Sequence, residues 1–424
     1  MRNNPVLILV IFSSIILVID AYTYWGIRKI THGFSKRIIR IIDVLYWIVP
    51  LSLISGIMLV FHNQDQIAGQ RLSYYIYYLS GTFIVFYLPK LIFVIFNLFD
   101  DVIFQIRKIV TLKRKKVTDN AGSGRKITRR KLLNQVGMVF AGVPFLTLLY
   151  GIAYGRFDFT KRKVGLSFPN LPDAFNGFKI VQISDFHIGT FFDHLKQVGE
   201  IVQLVNDEDP DLILFTGDMV NNLSTEVDPF LDILSTLKAK NGIYSILGNH
   251  DYGEYFPWKS EKDKQDNIER LINLQRQIGF DLLLDESRRI KRAGGVIELI
   301  GVQNWGLPPF PQYGDLEKAM KNTDNHAFKL LMSHDPTHWD AQVKERTDID
   351  LMLAGHTHGA QFGVEIPGWR WSPATVRYKQ WGGLYSEGSQ HLYVNTGLGS
   401  IGYPGRVGMP PEITVFELKN GQLT

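Results

Sequence analysis

The residues able to do chemistry sit in five short motifs in the second half of the chain. They are Asp185-Phe186-His187, Gly217-Asp218, Gly248-Asn249-His250-Asp251, Ser333-His334-Asp335-Pro336 and Gly355-His356-Thr357-His358-Gly359. Carboxylate, imidazole and carboxamide are metal-ligand groups, and this mixture without thiolate suits Mn, Fe or Zn better than Ca or Mg. There is no cysteine, which excludes a thiol nucleophile, thiolate metal sites and a disulfide framework. Two metals about 3.5–4 Å apart need a shared carboxylate, and Asp218 is the central candidate. Taken singly each motif is weak, because a lone D-x-H or G-D recurs by chance. In this order and number they are specific.

The elements around them explain why such distant residues would meet. β-rich runs Phe178–Ser184, Asp211–Gly217, Gly242–Gly248, Phe328–Ser333 and Asp350–Gly355 each end at a motif. Val296–Val302 runs up to Asn304, and His391–Thr396 and Glu412–Leu418 follow. Helical patterns fit His194–Asn206, Val227–Lys240, Lys264–Gln277 and Leu316–Lys321. Near-continuous apolar strands alternating with helices imply strands buried on both faces. Open α/β sheets form their sites outside the carboxyl ends of the strands, where these motifs fall.

Over roughly Gly177–Leu418, these motifs and the late Gly397-Leu398-Gly399…Pro404…Arg406 segment give a chain that resembles the calcineurin-like metallophosphoesterase superfamily. The resemblance implies a four-layer αββα sandwich holding two divalent metal ions. It implies that Asp185, His187 and His358 ligate the first metal, that Asp218 bridges, and that Asn249, His334 and His356 ligate the second. His250 would contact the scissile phosphate and Asp251 would hold that histidine. The implied reaction is hydrolysis of a phosphoester by a hydroxide shared between the metals, with His250 stabilising charge or protonating the leaving alkoxide. Asp251 would fix the His250 tautomer and favour its charged form. Less specific candidates are Gln361 and Arg406 for phosphate contact, Asn304 and Trp305 as cleft lining, and the aromatic-rich segment Ile366–Tyr385. That segment reads either as a hairpin facing lipid or an apolar substrate, or as a satellite core.

The first 155 residues have a different character. Apolar runs at about Pro5–Trp25, Ile42–His62, Tyr74–Phe99 and Leu132–Tyr154 are each long enough to span a bilayer. Four such runs are not explained by a signal peptide. The loops between them carry five, one and eleven Lys and Arg residues in chain order. Positive loops stay in the cytoplasm, so the expectation is an outside N-terminus and a catalytic domain on the extracytoplasmic face of the cell membrane. Thr128–Leu146, with Arg129 and Arg130, is similar to an internal twin-arginine export signal; an ordinary basic flank gives the same topology. Asp20, Asp43 and Lys90 are expected to pair or snorkel rather than line a transport path. Tyr74, Tyr75, Tyr77 and Tyr78 fit an interfacial belt. Net charge is +5, and the basic residues flank spans without interleaved aromatics, so nucleic acid is not an expected partner.

The expected organisation is therefore a transmembrane region of about four helices over 1–155, a linker over 156–176 and a metallophosphoesterase domain over 177–424. The expected function is membrane-anchored hydrolysis of a phosphodiester or pyrophosphate, possibilities including a lipid-linked substrate such as a UDP-diacylglucosamine-type lipid. The rival class is a membrane sensor or transporter with an accessory phosphoesterase domain.

Overall fold

A computed structural model describes residues 5–63, 70–112 and 129–421, which fall into two units, Met1–Tyr150 and Gly151–Thr424. Most of the basic loop after the third span lies outside the described residues, as does Thr128.

The first unit is built from α1 (Pro5–Thr31), α2 (Lys36–His62), α3 (Gln70–Leu112) and α4 (Arg129–Ala153), whose residues from Gly151 on already belong to the second. Each is long and apolar enough to cross a membrane. Pro50, Pro89 and Pro144 lie inside helices, where a membrane bundle tolerates the lost N–H. A carboxylate in such a bundle must be paired. Asp20 is fully buried and takes the Lys90 ammonium at 2.6 Å and the Tyr46 and Tyr87 hydroxyls at 2.8 and 2.5 Å. These bonds pin α1 to α2 and α3. Asp43 pairs instead with Tyr24 at 2.8 Å and Arg28 at 3.5 Å. Asp20, Asp43 and Lys90 are thus each paired, as expected.

In the second unit β1 (Thr160–Phe168) precedes β2 (Phe178–Ile183), α5 (Leu195–Asn206), β3 (Leu212–Phe215), α6 (Leu231–Leu234), β4 (Ile243–Ser245), α7 (Glu261–Ile278) and β5 (Asp281–Leu282). Then come β6 (Glu286–Arg292), β7 (Gly295–Gly301), α8 (Leu316–Met320), β8 (Phe328–Met332) and β9 (Leu351–Ala354). A small hairpin of β10 (Val364–Ile366) and β11 (Trp369–Trp371) follows, before β12 (Gly383–Glu387), β13 (Gln390–Val394) and β14 (Glu412–Asn420). Two six-stranded sheets result, ordered β1-β14-β2-β3-β4-β5 and β12-β13-β9-β8-β7-β6. β2 through β5 run parallel, as do β7, β8, β9 and β13.

One apolar layer, including Ile180, Leu214, Leu330 and Leu353, lies between the sheets. A second, with Val198, Ile201 and Leu271, packs α5 and α7 on the first sheet, and a third, with Leu316 and Trp339, covers the second. Alternate residues of β2, β3, β8 and β9 therefore feed different layers, which is why those strands are apolar on both faces. This is the expected αββα sandwich.

Two local expectations change. Residues 156–176, expected as a linker, contain β1, an edge strand paired parallel with β14 from Thr160↔Glu412 to Phe168↔Asn420. Its exposed Lys161 and Lys163 disguise a period-two pattern, and lysine on an edge strand deters pairing with other chains. The helix expected over Val227–Lys240 shrinks to a short 3-10 turn and α6. The Ser235 and Thr236 hydroxyls bond back to the Leu231 and Ile233 carbonyls at 2.8 and 2.6 Å, competing with helix propagation.

Candidate metal centre

The site forms where the parallel strands of both sheets end. Asp185 and His187 follow β2, Asp218 follows β3, Asn249 and His250 follow β4, His334 follows β8, and His356 and His358 follow β9. Five of these turn out of the sheet through left-handed backbone: Asp185, His187, Asp218, His356 and His358 have φ of 49°, 42°, 59°, 73° and 51°. Such backbone costs about 1–3 kcal/mol per residue and persists where the surroundings enforce it, typically at functional sites.

Two groups emerge with ligand atoms close enough to hold an ion: Asp185, His187 and His358, and Asp218, His334 and His356. A third combines His187, Asp218 and His250. His358 Nε2 lies 3.3 Å from Asp185 Oδ1, and His334 Nε2 lies 3.1 Å from Asp218 Oδ2. His187 Nε2 is 3.5 Å from the same Asp218 oxygen, so Asp218 faces both groups. The carboxylates are aimed by neighbouring motifs: the His356 amide donates to both Asp185 oxygens at 3.0 and 2.9 Å, and the His250 amide to Asp218 Oδ1 at 2.8 Å.

Glycine makes this crowding possible. A Cβ on Gly248 would stand 2.2 Å from Asp218 Oδ1, and one on Gly355 would stand 2.2 Å from Asp185 Oδ2.

The donor set fits divalent metal on an independent observation. His187 is fully buried, yet neither ring nitrogen has a hydrogen-bond partner among the described residues. Asn249 gives its amide N–H to the Tyr255 hydroxyl at 2.9 Å while its buried Oδ1 has no partner among the described residues. Unsatisfied buried polar atoms of this kind need an explanation, and a cation satisfies both. The His334 Nδ1 meets the Thr216 carbonyl at 2.7 Å, a contact that makes Nδ1 the donor and leaves Nε2 free for a metal.

The same contacts set the electrostatics of the metal-free site. Burial alone would raise the Asp185 and Asp218 carboxyls, but the facing imidazoles, His358 for Asp185 and His334 for Asp218, hold both below the ordinary range. Burial likewise opposes protonation of His334, yet the Asp218 and Asp185 carboxylates raise it to about 10. Burial lowers His187, His250 and His356.

Asp251, expected to hold His250, does something else. Its carboxylate is fully buried and accepts four main-chain N–H bonds, from Met219 (2.8 Å), Val220 (3.2 Å), Asp218 (2.9 Å) and Gly248 (2.9 Å). It thus clamps the β3 and β4 ends together. His250 is held instead through Nδ1, 2.8 Å from the Asn221 carbonyl. Gln361 staples a loop, donating to the Tyr403 and Gly405 carbonyls at 2.7 Å each. Arg406 is buried and donates to the carbonyls of Gly399, Met409 and Thr396, with Nη2 3.2 Å from His358 Nδ1. It braces the loop behind His358 and is not open to a substrate phosphate. Asn304 and Trp305 are buried too, Trp305 stacking on His338 at 4.6 Å.

Two contacts had no assigned role in the sequence reading. The Tyr378 hydroxyl lies 2.8 Å from His356 Nε2, and Asp335 Oδ2 lies 3.4 Å from the same nitrogen. His356 Nδ1, 3.3 Å from His334 Nε2, is the atom turned to the centre. Asp335 lies in the Ser333–Pro336 motif and Tyr378 in the aromatic-rich segment, so the sequence marks both residues without pairing either with His356.

Comparison with known proteins agrees with this geometry. Residues 178–360 match the family described as "Calcineurin-like phosphoesterase", and residues 2–156 match "Probable Calcineurin-like phosphoesterase, transmembrane domain". The chain is 33% identical over 309 residues to the uncharacterized metallophosphoesterase YkuE of Bacillus subtilis, covering 70% of this chain and 99% of that protein. It is 28% identical over 299 residues to the phosphodiesterase YaeI of Escherichia coli, covering 69% and 99%. It is 26% identical over 431 residues to the uncharacterized metallophosphoesterase Cj0846 of Campylobacter jejuni, covering 97% and 99%. A sandwich whose strand ends converge on clustered aspartates and histidines, joined to four apolar helices, thus has its relatives: the chain belongs to the calcineurin-like metallophosphoesterases, hydrolases of phosphoester bonds, in a form with a membrane region.

Proposed function

We propose that the chain is a membrane-anchored phosphoesterase with two divalent cations, cleaving phosphodiester or pyrophosphate bonds. Asp185, His187 and His358 would hold one cation, Asn249, His334 and His356 the other, with Asp218 shared. The observation that carries this reading is the pair of buried, unpartnered donors, the His187 imidazole and Asn249 Oδ1. Two cations supply an activated water and neutralise phosphate oxygens. The chain's own part is to orient and move a proton. With Nδ1 engaged by the Asn221 carbonyl, His250 offers Nε2 to the leaving oxygen. Asp251 acts indirectly, by fixing the Asp218 loop.

A lipid-linked substrate suits the surroundings of the centre. The Tyr255 ring lies 4.6 Å from that of His250 and the Phe310 ring 4.5 Å from that of His356. Apolar groups beside a phosphate-cleaving centre favour a substrate with an apolar tail, of which a UDP-diacylglucosamine-type lipid is one example.

The test is a hydrolysis screen of the purified full-length protein. Nucleotide diesters, UDP-diacylglucosamine-type lipids and lipid phosphates are compared with Mn, Zn and Mg, beside Asp218→Asn. Expected is metal-dependent hydrolysis that Asp218→Asn removes together with bound metal. Near-normal turnover of Asp218→Asn with two metals retained sinks the assignment.

The loop charges of five, one and eleven support an extracytoplasmic catalytic domain. Reporter fusions after Tyr154 and near Gly122 should behave oppositely. Replacing Arg129 and Arg130 by lysine should spare ordinary insertion and block only twin-arginine export.

A further inference from the structure

The aromatic-rich segment after the metal centre divides into two parts. Trp381 joins Ala374 and Met409 in a small core, against which Tyr378 packs. The β10–β11 hairpin does the opposite. Val364 pairs across it with Trp371, and Ile366 with Trp369. Residues two apart on a strand share a face, so all four apolar side chains point the same way. They are 44%, 45%, 53% and 52% exposed, respectively. Glu365 and Arg370 occupy the opposite face, where Arg162 grips the Glu365 carboxylate with two bonds of 3.1 and 2.7 Å. The polar face is thus fastened to β1 and the apolar face turned outward. A two-stranded hairpin is marginal by itself, and contiguous exposed apolar surface marks an interaction site.

We propose that this face docks on the lipid bilayer surface. Three observations select that occupant. The first is reach: Arg162, which holds the hairpin, is only nine residues beyond Ala153, the end of the last apolar helix. Nine residues span at most about 30 Å even when extended. The second is a tie within the catalytic unit itself. The Arg406 amide donates to the Gly151 carbonyl at 3.2 Å, and Val407 brackets the root of β10, its carbonyl accepting from Gly363 N at 3.0 Å and its amide donating to the Gln361 carbonyl at 2.9 Å. The hairpin root is therefore two bonded steps from the first residue of the unit, at the end of a membrane-spanning helix. The third is chemistry: tryptophan with isoleucine and valine, over an arginine–glutamate pair, is what sits at the boundary between head groups and acyl chains. Docking here would hold the catalytic unit against the membrane in one orientation, beyond what the tether imposes. The inference rests on the membrane region and the hairpin, not on the substrate reading.

The lack of cysteine makes the test direct, because an introduced thiol is unique. Ile366→Cys and Trp369→Cys, with Asp266→Cys at an exposed position of α7 as reference, are spin-labelled in the full-length protein. The protein is reconstituted in vesicles of phosphatidylethanolamine and phosphatidylglycerol. Labels at 366 and 369 should collide several-fold more with lipid-soluble oxygen than with a water-soluble nickel chelate, the reverse of position 266. Equal access of the nickel chelate at all three positions would overturn the proposal. Dipolar broadening between labels at 366 would also overturn it, by showing that a second copy covers the face. Shielding from nickel only when a phospholipid substrate is added would assign the hairpin to substrate instead. Retained metal-dependent hydrolysis certifies folding of each variant, and loss of docking with hydrolysis intact leaves the proposed function standing.

Discussion

Gly248→Ala probes whether the centre depends on the close approach of β4 to the Asp218 carboxylate. A Cβ at this position would lie 2.2 Å from Asp218 Oδ1 and 2.6 Å from Asp218 N, whereas real Cβ contacts essentially never fall below 3.0 Å. Something must move by about 0.8 Å. The carboxylate cannot yield freely, since His250 N holds Oδ1 at 2.8 Å and the Asp251 carboxylate accepts from the Asp218 amide at 2.9 Å. A metal or catalytic constellation tolerates roughly 0.5 Å of misplacement, and about 1 Å costs on the order of 10²-fold. Overpacking should also cost about 1–3 kcal/mol of stability. The expected outcome is weaker metal binding by calorimetry and a drop in kcat/KM on the order of 10²-fold. Gly199→Ala is the control. That glycine lies inside α5 with open space around its Cβ position, so alanine should stabilise by about 0.5–1 kcal/mol and leave metal binding alone. If Gly248→Ala binds metal with unchanged affinity and turns over like the wild type, Asp218 does not hold metal in this geometry.

His250→Ala should keep its metals, read by elemental analysis, and slow turnover by about 10²–10⁴-fold, less for good leaving groups such as p-nitrophenolate. An equal loss for good and poor leaving groups would exclude proton donation and leave charge stabilisation. Arg406→Met should destabilise the catalytic unit, because each buried carbonyl left unpaired costs about 1–3 kcal/mol. Unchanged thermal stability with a raised KM would instead restore the substrate-phosphate role expected from sequence. Burial lowers His338 from 6.5 to about 4, against the hydrogen bond that its Nε2 donates to Gln342 Oε1 and the charge of Asp335. A depressed folded value means the unfolded chain takes the proton first, so stability is full above about pH 6.5 and is lost as pH falls toward about 4. Between pH 7 and 5 the loss should be about 2 kcal/mol. His338→Gln should flatten that part of the pH dependence of thermal unfolding; identical slopes would refute it.

The sequence by itself determined what depends on residue type and short period. Four apolar runs of spanning length must leave water, and strands apolar on both faces must be covered on both. Ligand-type residues after such strands must gather at one end of the sheets. That was enough to anticipate the sandwich, the membrane region and the residues that converge on the centre. Tertiary structure decided what depends on partners distant along the chain. β1 reads as a basic linker until β14, some 250 residues away, supplies its ladder. Asp251 stands beside His250 in sequence, yet its carboxylate meets four amides at the ends of two strands, because an adjacent side chain on a turn need not point the same way. Arg406 looked free to take a phosphate, but burial gives its guanidinium to carbonyls. Trp369 and Trp381 are alike in composition, and only packing sends one outward and the other into a core. Residue chemistry states what a group can bind; the fold, by bringing one partner close and excluding the rest, settles which of those bonds is made.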